Sequence, residues 1–548
     1  MQKRVIVTSA LPYANGEIHL GHIASTYLPA DVTVRFLKQN DVRAYYFCAS
    51  DDYGTPILLQ SEKKGITPEQ YVSEWNKRDA EDFAKLDINF DLFYHTSSDE
   101  NNQFVQNVFT KLSDAGHITQ SIISQFYCKQ DDKFLPDRYV KGTCPHCRVA
   151  DQYSDLCESC GRIPEEILNP KCAICGKTPT QKESLHYFFQ LEHFTDKLNH
   201  WLDCNDNLQS DVKNYVRNWI KEGLKDWDIT RDISWGVPIP ASEGADKVFY
   251  GWFDNHLAYI STAIKYLESI GEDGEKFWNS ADIYHFIGKD IVYHHYLFLP
   301  AIRMGVDEKF KLPDYIPTRG HLTLQNKKIS KSRNWYVGLR DFLQYYPADY
   351  LRFYLIFITP FSQNDLNFDW DDFASRINSE LIGNIGNFIN RTLGFTCKEY
   401  GGLVPKPDDM TSVDLEAREE IMNISTIVAD LVQNSQLNHA LKRILKFSAY
   451  FNQYFQHSSP WKGGVGSATC IYLSVNAVRC LSILLHCILP QSSQRIWEQL
   501  NLSDLVSDVS WNNASSLSIS PGHVVSKSSP LFAKVEQDDI NMRKSELK

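Results

Sequence analysis

Nowhere in the 548-residue chain does an uninterrupted apolar run reach the ~18 residues of a membrane-spanning helix. The most apolar stretch, residues 470–490, is broken by Asn476, Arg479 and His486. It reads as a buried helix, so no membrane partner is expected. No small-residue cleavage site follows the short apolar run at residues 5–10, which argues against a secretory signal and for the cytosol. Positive charge is also in deficit: 56 Lys and Arg face 68 Asp and Glu, a net charge of −12. That excludes a uniformly basic nucleic-acid binder, although a local basic strip on an acidic body stays open. No internal repeat is present.

The composition, 43% hydrophobic, 23% charged and 13% aromatic, is that of a soluble globular protein. At ~100–200 residues per domain, three or four domains are expected. Residues 4–10 are rich in β-branched side chains and suit a buried parallel strand. A turn-rich loop follows at residues 11–16, then a helical pattern at 18–37, in which Pro29 is expected to place a kink. Residues 44–49 read as the next strand. This βαβ unit predicts a Rossmann-like, doubly wound α/β domain. Strand–helix signals return at 248–264 and 282–299.

The division predicted is a first α/β half at 1–115, an insertion at 116–230, a second half at 231–315, and a linker at 316–370. A helical bundle follows at 371–548, with helical stretches near 413–457 and 468–501 and a loose, Ser-rich tail.

Seven of the 13 cysteines fall between Cys128 and Cys175, mostly in Cys-x-x-Cys pairs. In a cytosolic protein this favours metal over disulfides. Cys144 and Cys147 are separated by nine residues from Cys157 and Cys160. Four thiolates so spaced form a closed tetrahedral zinc site with no position open for catalysis. Cys172 and Cys175 make a third pair.

Two short motifs carry nucleotide chemistry. In His19-Leu20-Gly21-His22 two imidazoles share a face at a helix start, a location that favours phosphate. In Lys328-Ile329-Ser330-Lys331-Ser332 two lysines can clamp a triphosphate, since phosphoryl chemistry needs positioning and positive charge. Taken singly, the first could be two surface histidines and the second a solvated basic loop. Together, about 300 residues apart, they resemble the signature pair of class I aminoacyl-tRNA synthetases. The resemblance implies that His19, Gly21 and His22 meet ATP, with Mg²⁺ accompanying it. It also implies that Lys328 and Lys331 close over the pyrophosphate, with Arg231 helping to set their loop.

Longer stretches narrow the family. Residues 10–16, 126–140, 227–231, 284–290 and 530–534 resemble methionyl-tRNA synthetases, which implies methionine, ATP and the methionine-accepting tRNA as partners. Carried over, Ala10, Leu11, Tyr13, Trp252, Tyr259, Ile291 and His295 would line the amino-acid pocket, with the Tyr259 hydroxyl reaching the thioether. Asp51 would hold the ammonium, and Gly288 and Asp290 the ribose. Asn387, Arg391 and Trp461 would read the anticodon. Cys128 and Asp131 stand where two-zinc members carry another Cys-x-x-Cys. Asp131 could therefore complete a second zinc site with Cys172 and Cys175, the alternative being a metal-free knuckle. The appended dimerisation module of some members does not follow residue 534, which implies a monomer.

The chain departs from the family beside the pocket. Asn255 and His256 replace Ala and Pro, and His294 replaces an aromatic. Either these polar groups bond among themselves, or the pocket takes a more polar amino acid. A non-catalytic tRNA-binding relative is the remaining alternative, against which the intact His19, His22, Lys328 and Lys331 count.

Overall fold

The computed structural model describes residues 2–547 apart from 155, 156, 158, 161–163, 165, 241–246, 308, 309, 332 and 333. Its central sheet has five parallel strands: β1 (Arg4–Ser9), β2 (Arg43–Ser50), β3 (Leu92–His95), β4 (Asp282–Gly288) and β5 (Thr318–Arg319). Their spatial order is β5-β4-β1-β2-β3. Val5 of β1 pairs with Ala44 of β2 on one side and Asp282 of β4 on the other. The chain therefore reverses direction across the sheet at β1, and the carboxyl ends of β1 and β4 frame a crevice there. Val5, Ile6 and Val7 are fully buried, as expected of a strand covered on both faces.

After β1 the chain enters a helical path through Leu20–His22, Ile23–Tyr27 and Leu28–Gln39. The feature predicted at Pro29 is a π-helical turn at Ile23–Tyr27, closed by the Leu28 N–H on the Ile23 carbonyl. Pro29 has no N–H to give the preceding turn, and the wider turn accommodates that loss.

The insertion leaves the sheet on a long antiparallel pair, Ile118–Cys128 with Thr180–Phe189. It returns through helices Thr195–Cys204 and Ser210–Glu222, whose Leu198, Val212 and Val216 share a core with Ile6 and Ile283. The opposite face of the sheet shares its core with the C-terminal helices, so Val5, Val7, Ile444 and Leu481 belong to one apolar cluster. Helix Ser467–Leu485 is long and apolar enough to cross a membrane, but it is 89% buried at the centre of that bundle.

Two helical stretches are more divided than the sequence pattern predicts. Residues 413–457 form Ser412–Gln433 and Leu437–Ser458, split where buried Ser435 adopts φ 55°. Residues 468–501 split before Pro490, which starts helix Pro490–Gln499 at its first turn. The tail expected to be loose is packed. Trp511 and Ile540 are buried, and the Trp511 indole N–H donates to the Ser425 carbonyl at 3.0 Å. Its ring meets Phe36 edge-on at 4.9 Å. Sparse anchors (Ile519, Val525, Leu531, Val535) hold a segment whose overall composition is polar. Trp511→Ala should therefore cost about 3–5 kcal/mol of stability, read as a lower urea midpoint at constant slope. A loss below about 0.5 kcal/mol would show that the tail is not part of the core.

Candidate active site

A cavity of about 600 Å³ opens where β1 and β4 end. On one side lies His19-Leu20-Gly21-His22. The His19 Nδ1 accepts the Gly21 N–H at 3.1 Å, and the His22 Nδ1 accepts the His19 N–H at 3.2 Å. With both Nδ1 atoms acting as acceptors, each neutral ring carries its proton on Nε2. The rings stack 3.7 Å apart. Burial, and then the Lys331 charge, hold the His19 pKa down at about 3; burial, His19 and Lys331 also hold His22 well below its ordinary value. Two uncharged N–H donors therefore stand side by side at neutral pH.

The basic motif is fastened against them. The Leu20 N–H donates to the Val337 carbonyl at 3.2 Å, and the Leu339 N–H to the Ile18 carbonyl at 2.9 Å. Ser330 and Trp335 exchange backbone hydrogen bonds that close the loop, and Ser332 lies outside the described residues. Lys328 lines the cavity. A Cβ on Gly21 would stand 3.0 Å from the His19 ring and 3.2 Å from Ile329, so glycine is what lets the motifs approach this closely. The Lys331 ammonium sits 2.9 Å from where a Gly16 Cβ would be. Desolvation lowers its pKa, against the opposing charges of Asp79 and Glu17. Glu17 itself accepts from the Tyr336 hydroxyl at 2.5 Å and from Arg78 at 2.9 Å.

Ala10, Leu11, Tyr13, Asp51, Trp252, Tyr259, Ile291 and His295 line the same cavity, with Gly288 and Asp290 at the end of β4. Asp51 is fixed by its backbone, donating to the Pro12 carbonyl at 2.8 Å and accepting from the Ala14 N–H at 2.9 Å. Its Oδ2 accepts from Asn255 Nδ2 at 3.2 Å, while its buried Oδ1 has no hydrogen-bond partner among the described residues. Burial, and after it the Asp52 charge, push this carboxyl up to about 7 against the Asn255 hydrogen bond. His295 donates through Nδ1 to the Ile291 carbonyl at 3.0 Å, so its Nε2 accepts the Tyr259 hydroxyl proton at 3.1 Å. The Tyr259 proton expected to reach a thioether is thus engaged by His295. Asp290 Oδ1 pairs with His321 Nε2 at 3.1 Å.

Comparison with known proteins identifies the family. The family model described as tRNA synthetases class I (M) matches residues 5–393, and that for the anticodon binding domain of methionyl tRNA ligase matches residues 404–547. The chain belongs to the methionyl-tRNA synthetases. It is 40% identical to the methionine–tRNA ligase of Methanopyrus kandleri, over 99% of this chain and 81% of that protein. It is also 40% identical to that of Pyrococcus abyssi, over 98% and 76%. The fold matches the Mycobacterium tuberculosis methionyl-tRNA synthetase in complex with methionyl-adenylate, with TM-score 0.81 at 23% identity, over 97% of this chain and all of that one.

In this synthetase the polar departures are satisfied only in part: Asn255 Oδ1, His256 Nε2 and His294 Nδ1 are buried with no hydrogen-bond partner among the described residues. Asn255 bonds to Asp51, and His256 Nδ1 donates to the Trp252 carbonyl at 2.5 Å. His294 stacks on Trp252 at 4.2 Å and is not part of the cavity wall. Burial keeps His256 and His294 neutral, the latter with its pKa near 3. Arg231 corrects an expectation. It pairs with Asp228 at 3.3 Å and Asp137 at 3.4 Å, lies 3.6 Å from the Tyr250 ring centre, and is absent from the cavity wall. Asp137, Asp228 and Tyr250 lie at the root of the insertion, and none of them belongs to the basic loop. Glu17, His321 and Asp365 escaped the sequence reading; the latter two line the cavity, and no spacing marks them.

Both cysteine clusters of the synthetase converge. The Sγ atoms of Cys144 and Cys160 are 3.8 Å apart, those of Cys147 and Cys157 3.6 Å. Asp131 Oδ2 lies 3.0 Å from Cys128 Sγ and 3.1 Å from Cys172 Sγ, with Cys175 Sγ 3.4 Å from Cys128. In each cluster the four donor atoms lie within 4.8 Å of one another, which suits one metal ion. In the bundle, Asn387 donates to Asn452 at 3.0 Å and Arg391 to Gln456 at 2.7 Å. The Arg391 guanidinium lies 5.1 Å from the ring centre of Trp461, which is 45% exposed.

A cationic amino group held at Asp51 would need its charged form. Below its pKa of about 7 the free enzyme holds it protonated, so affinity for the amino acid should fall as pH falls through that value, roughly tenfold per unit well below it. Affinity unchanged between about pH 8 and pH 5 would contradict this assignment.

Proposed function

We propose that the chain is a methionine–tRNA ligase acting through this cavity. The observation that carries the reading is the convergence of both motif segments with a buried carboxylate that has one bare oxygen. Asp51 binds the methionine ammonium, and Ala10, Leu11, Tyr13, Trp252, Tyr259, Ile291 and His295 enclose the side chain. The methionine carboxylate attacks the α-phosphate of ATP, and pyrophosphate leaves. His19 and His22 give their Nε2 protons to phosphate oxygens as hydrogen bonds. Because these rings are neutral, they orient the phosphates without trapping them as ion pairs. Lys328 and Lys331 supply the positive charge over the departing pyrophosphate, with Mg²⁺ bound to the nucleotide adding to it. Gly288 and Asp290 hold the ribose. The acyl group then passes to the 3′ end of the tRNA, whose anticodon meets Asn387, Arg391 and Trp461.

Zinc would be held by four thiolates at one cysteine cluster and by three thiolates and Asp131 at the other. Its role there would be to fold the insertion and not to take part in the chemistry. A monomer in the cytosol completes the reading.

ATP–pyrophosphate exchange should depend on methionine among the twenty amino acids and homocysteine. Exchange with a polar amino acid and none with methionine would overturn the proposal. Lys331→Ala should lower kcat by about 10²–10³-fold, the loss seen when one transition-state donor is removed; a change below about threefold would take Lys331 out of the chemistry. Elemental analysis should find both cysteine clusters loaded with zinc, and Asp131→Ala should lose the metal of the Cys128 cluster alone. Unchanged zinc in that variant would remove Asp131 from the ligand set.

A further inference from the structure

Asn255, on helix Gly251–Ser269, is buried on the cavity wall. Its contact with Asp51 Oδ2 at 3.2 Å fixes which way the amide faces, because a carboxylate only accepts and the near atom must be Nδ2. The Asn255 Oδ1 is therefore turned away from that bond, and it is buried with no hydrogen-bond partner among the described residues. Asp51 Oδ1 is in the same condition. Two buried, unpartnered acceptors on touching side chains are costly until a donor arrives.

The surrounding titratable groups do not supply that donor. Tyr13 gives its hydroxyl proton to the Tyr53 carbonyl at 3.0 Å, and Tyr259 gives its proton to His295. Asp52 accepts from Ser50 at 2.7 Å and Ser97 at 2.6 Å. Asp254 is a further buried acid, raised well above its ordinary value by burial and by Asp51. A free α-amino acid carries one group with donors for two acceptors at once, its ammonium.

We infer that Asn255 is a second ligand of the substrate ammonium: its Nδ2 holds one Asp51 oxygen in place, and its Oδ1 joins the other Asp51 oxygen in accepting N–H bonds. The inference rests on the reading that the cavity takes an α-amino acid. It makes a side chain that departs from the family pattern part of amino-group recognition and not of side-chain specificity.

The test uses Asn255→Ala and the near-isosteric Asn255→Leu, which keeps the volume without either polar atom, should the alanine variant fold poorly. In methionine-dependent pyrophosphate exchange, KM for methionine should rise about tenfold or more, the scale of one charge-assisted bond. The kcat and the KM for ATP should stay within about twofold. Inhibition by methioninol, which keeps the ammonium, should weaken by the same factor as methionine, while inhibition by the desamino analogue of methionine should be unchanged. The acid limb of kcat/KM should move to higher pH, since Asp51 loses a donor that favours its charged form. Equal weakening of both inhibitors, or an unchanged methionine KM, would overturn the inference. Absence of methionine-dependent exchange in the unaltered enzyme would be a failure of the functional reading itself, visible before any variant is made.

Discussion

A carboxylate with one oxygen left bare inside the protein is expensive, and much of the site is organised around the one on Asp51. The loop after β1 and the end of β2 are tied together at this residue, with Tyr13 and Asp51 paired as neighbouring strands would be. That pairing holds the acid at the base of the cavity, whatever its protonation. Two more acids sit beside it, and they are treated differently. Asp52 accepts from two serine hydroxyls, whereas Asp254, with neither oxygen partnered among the described residues, is pushed well above the usual carboxylate range by burial and then by the Asp51 charge. Asp51 lies between its charged and protonated forms at neutral pH, with its pKa near 7. On the function proposed, an arriving ammonium would supply the missing charge, and part of the substrate's binding energy would come from relieving a cost already present in the folded protein.

The nucleotide side follows a different logic. His19 and His22 are kept neutral by burial and by a lysine, and their backbone contacts fix which nitrogen carries the proton. Donors preset in this way need no reorganisation when charge develops on a phosphate. The positive charge comes from the second motif, and backbone hydrogen bonds on either side of the helix start bring that motif in. Gly21 permits the approach, and Glu17 with Tyr336 and Arg78 links the two loops at the rim.

The sheet, the insertion and the bundle were readable from the sequence because each has a period or a spacing: β-branched runs, cysteine pairs and an apolar helical stripe. The residues of the cavity were readable through family motifs, and the structure gathers nearly all of them. What could not be read depends on partners distant in sequence. Arg231 looked like a motif residue, yet Asp137, Asp228 and Tyr250 draw it to the root of the insertion. Asn255 left two readings open, an internal hydrogen bond or a change of specificity, and its amide turns to Asp51, some 200 residues earlier. The tail looked loose because its anchors are spread singly through a polar segment, and only the core they enter reveals them.

On the function proposed, methionine's ammonium would convert a half-protonated Asp51 into a carboxylate. Calorimetric titration of the enzyme with methionine near pH 7, in buffers of different ionisation enthalpy, measures the protons released on binding. Release of about half a proton per site, as expected for a group with its pKa near 7, and its loss in Asp51→Asn, are the results this account requires. Binding enthalpy that does not depend on the buffer would contradict it.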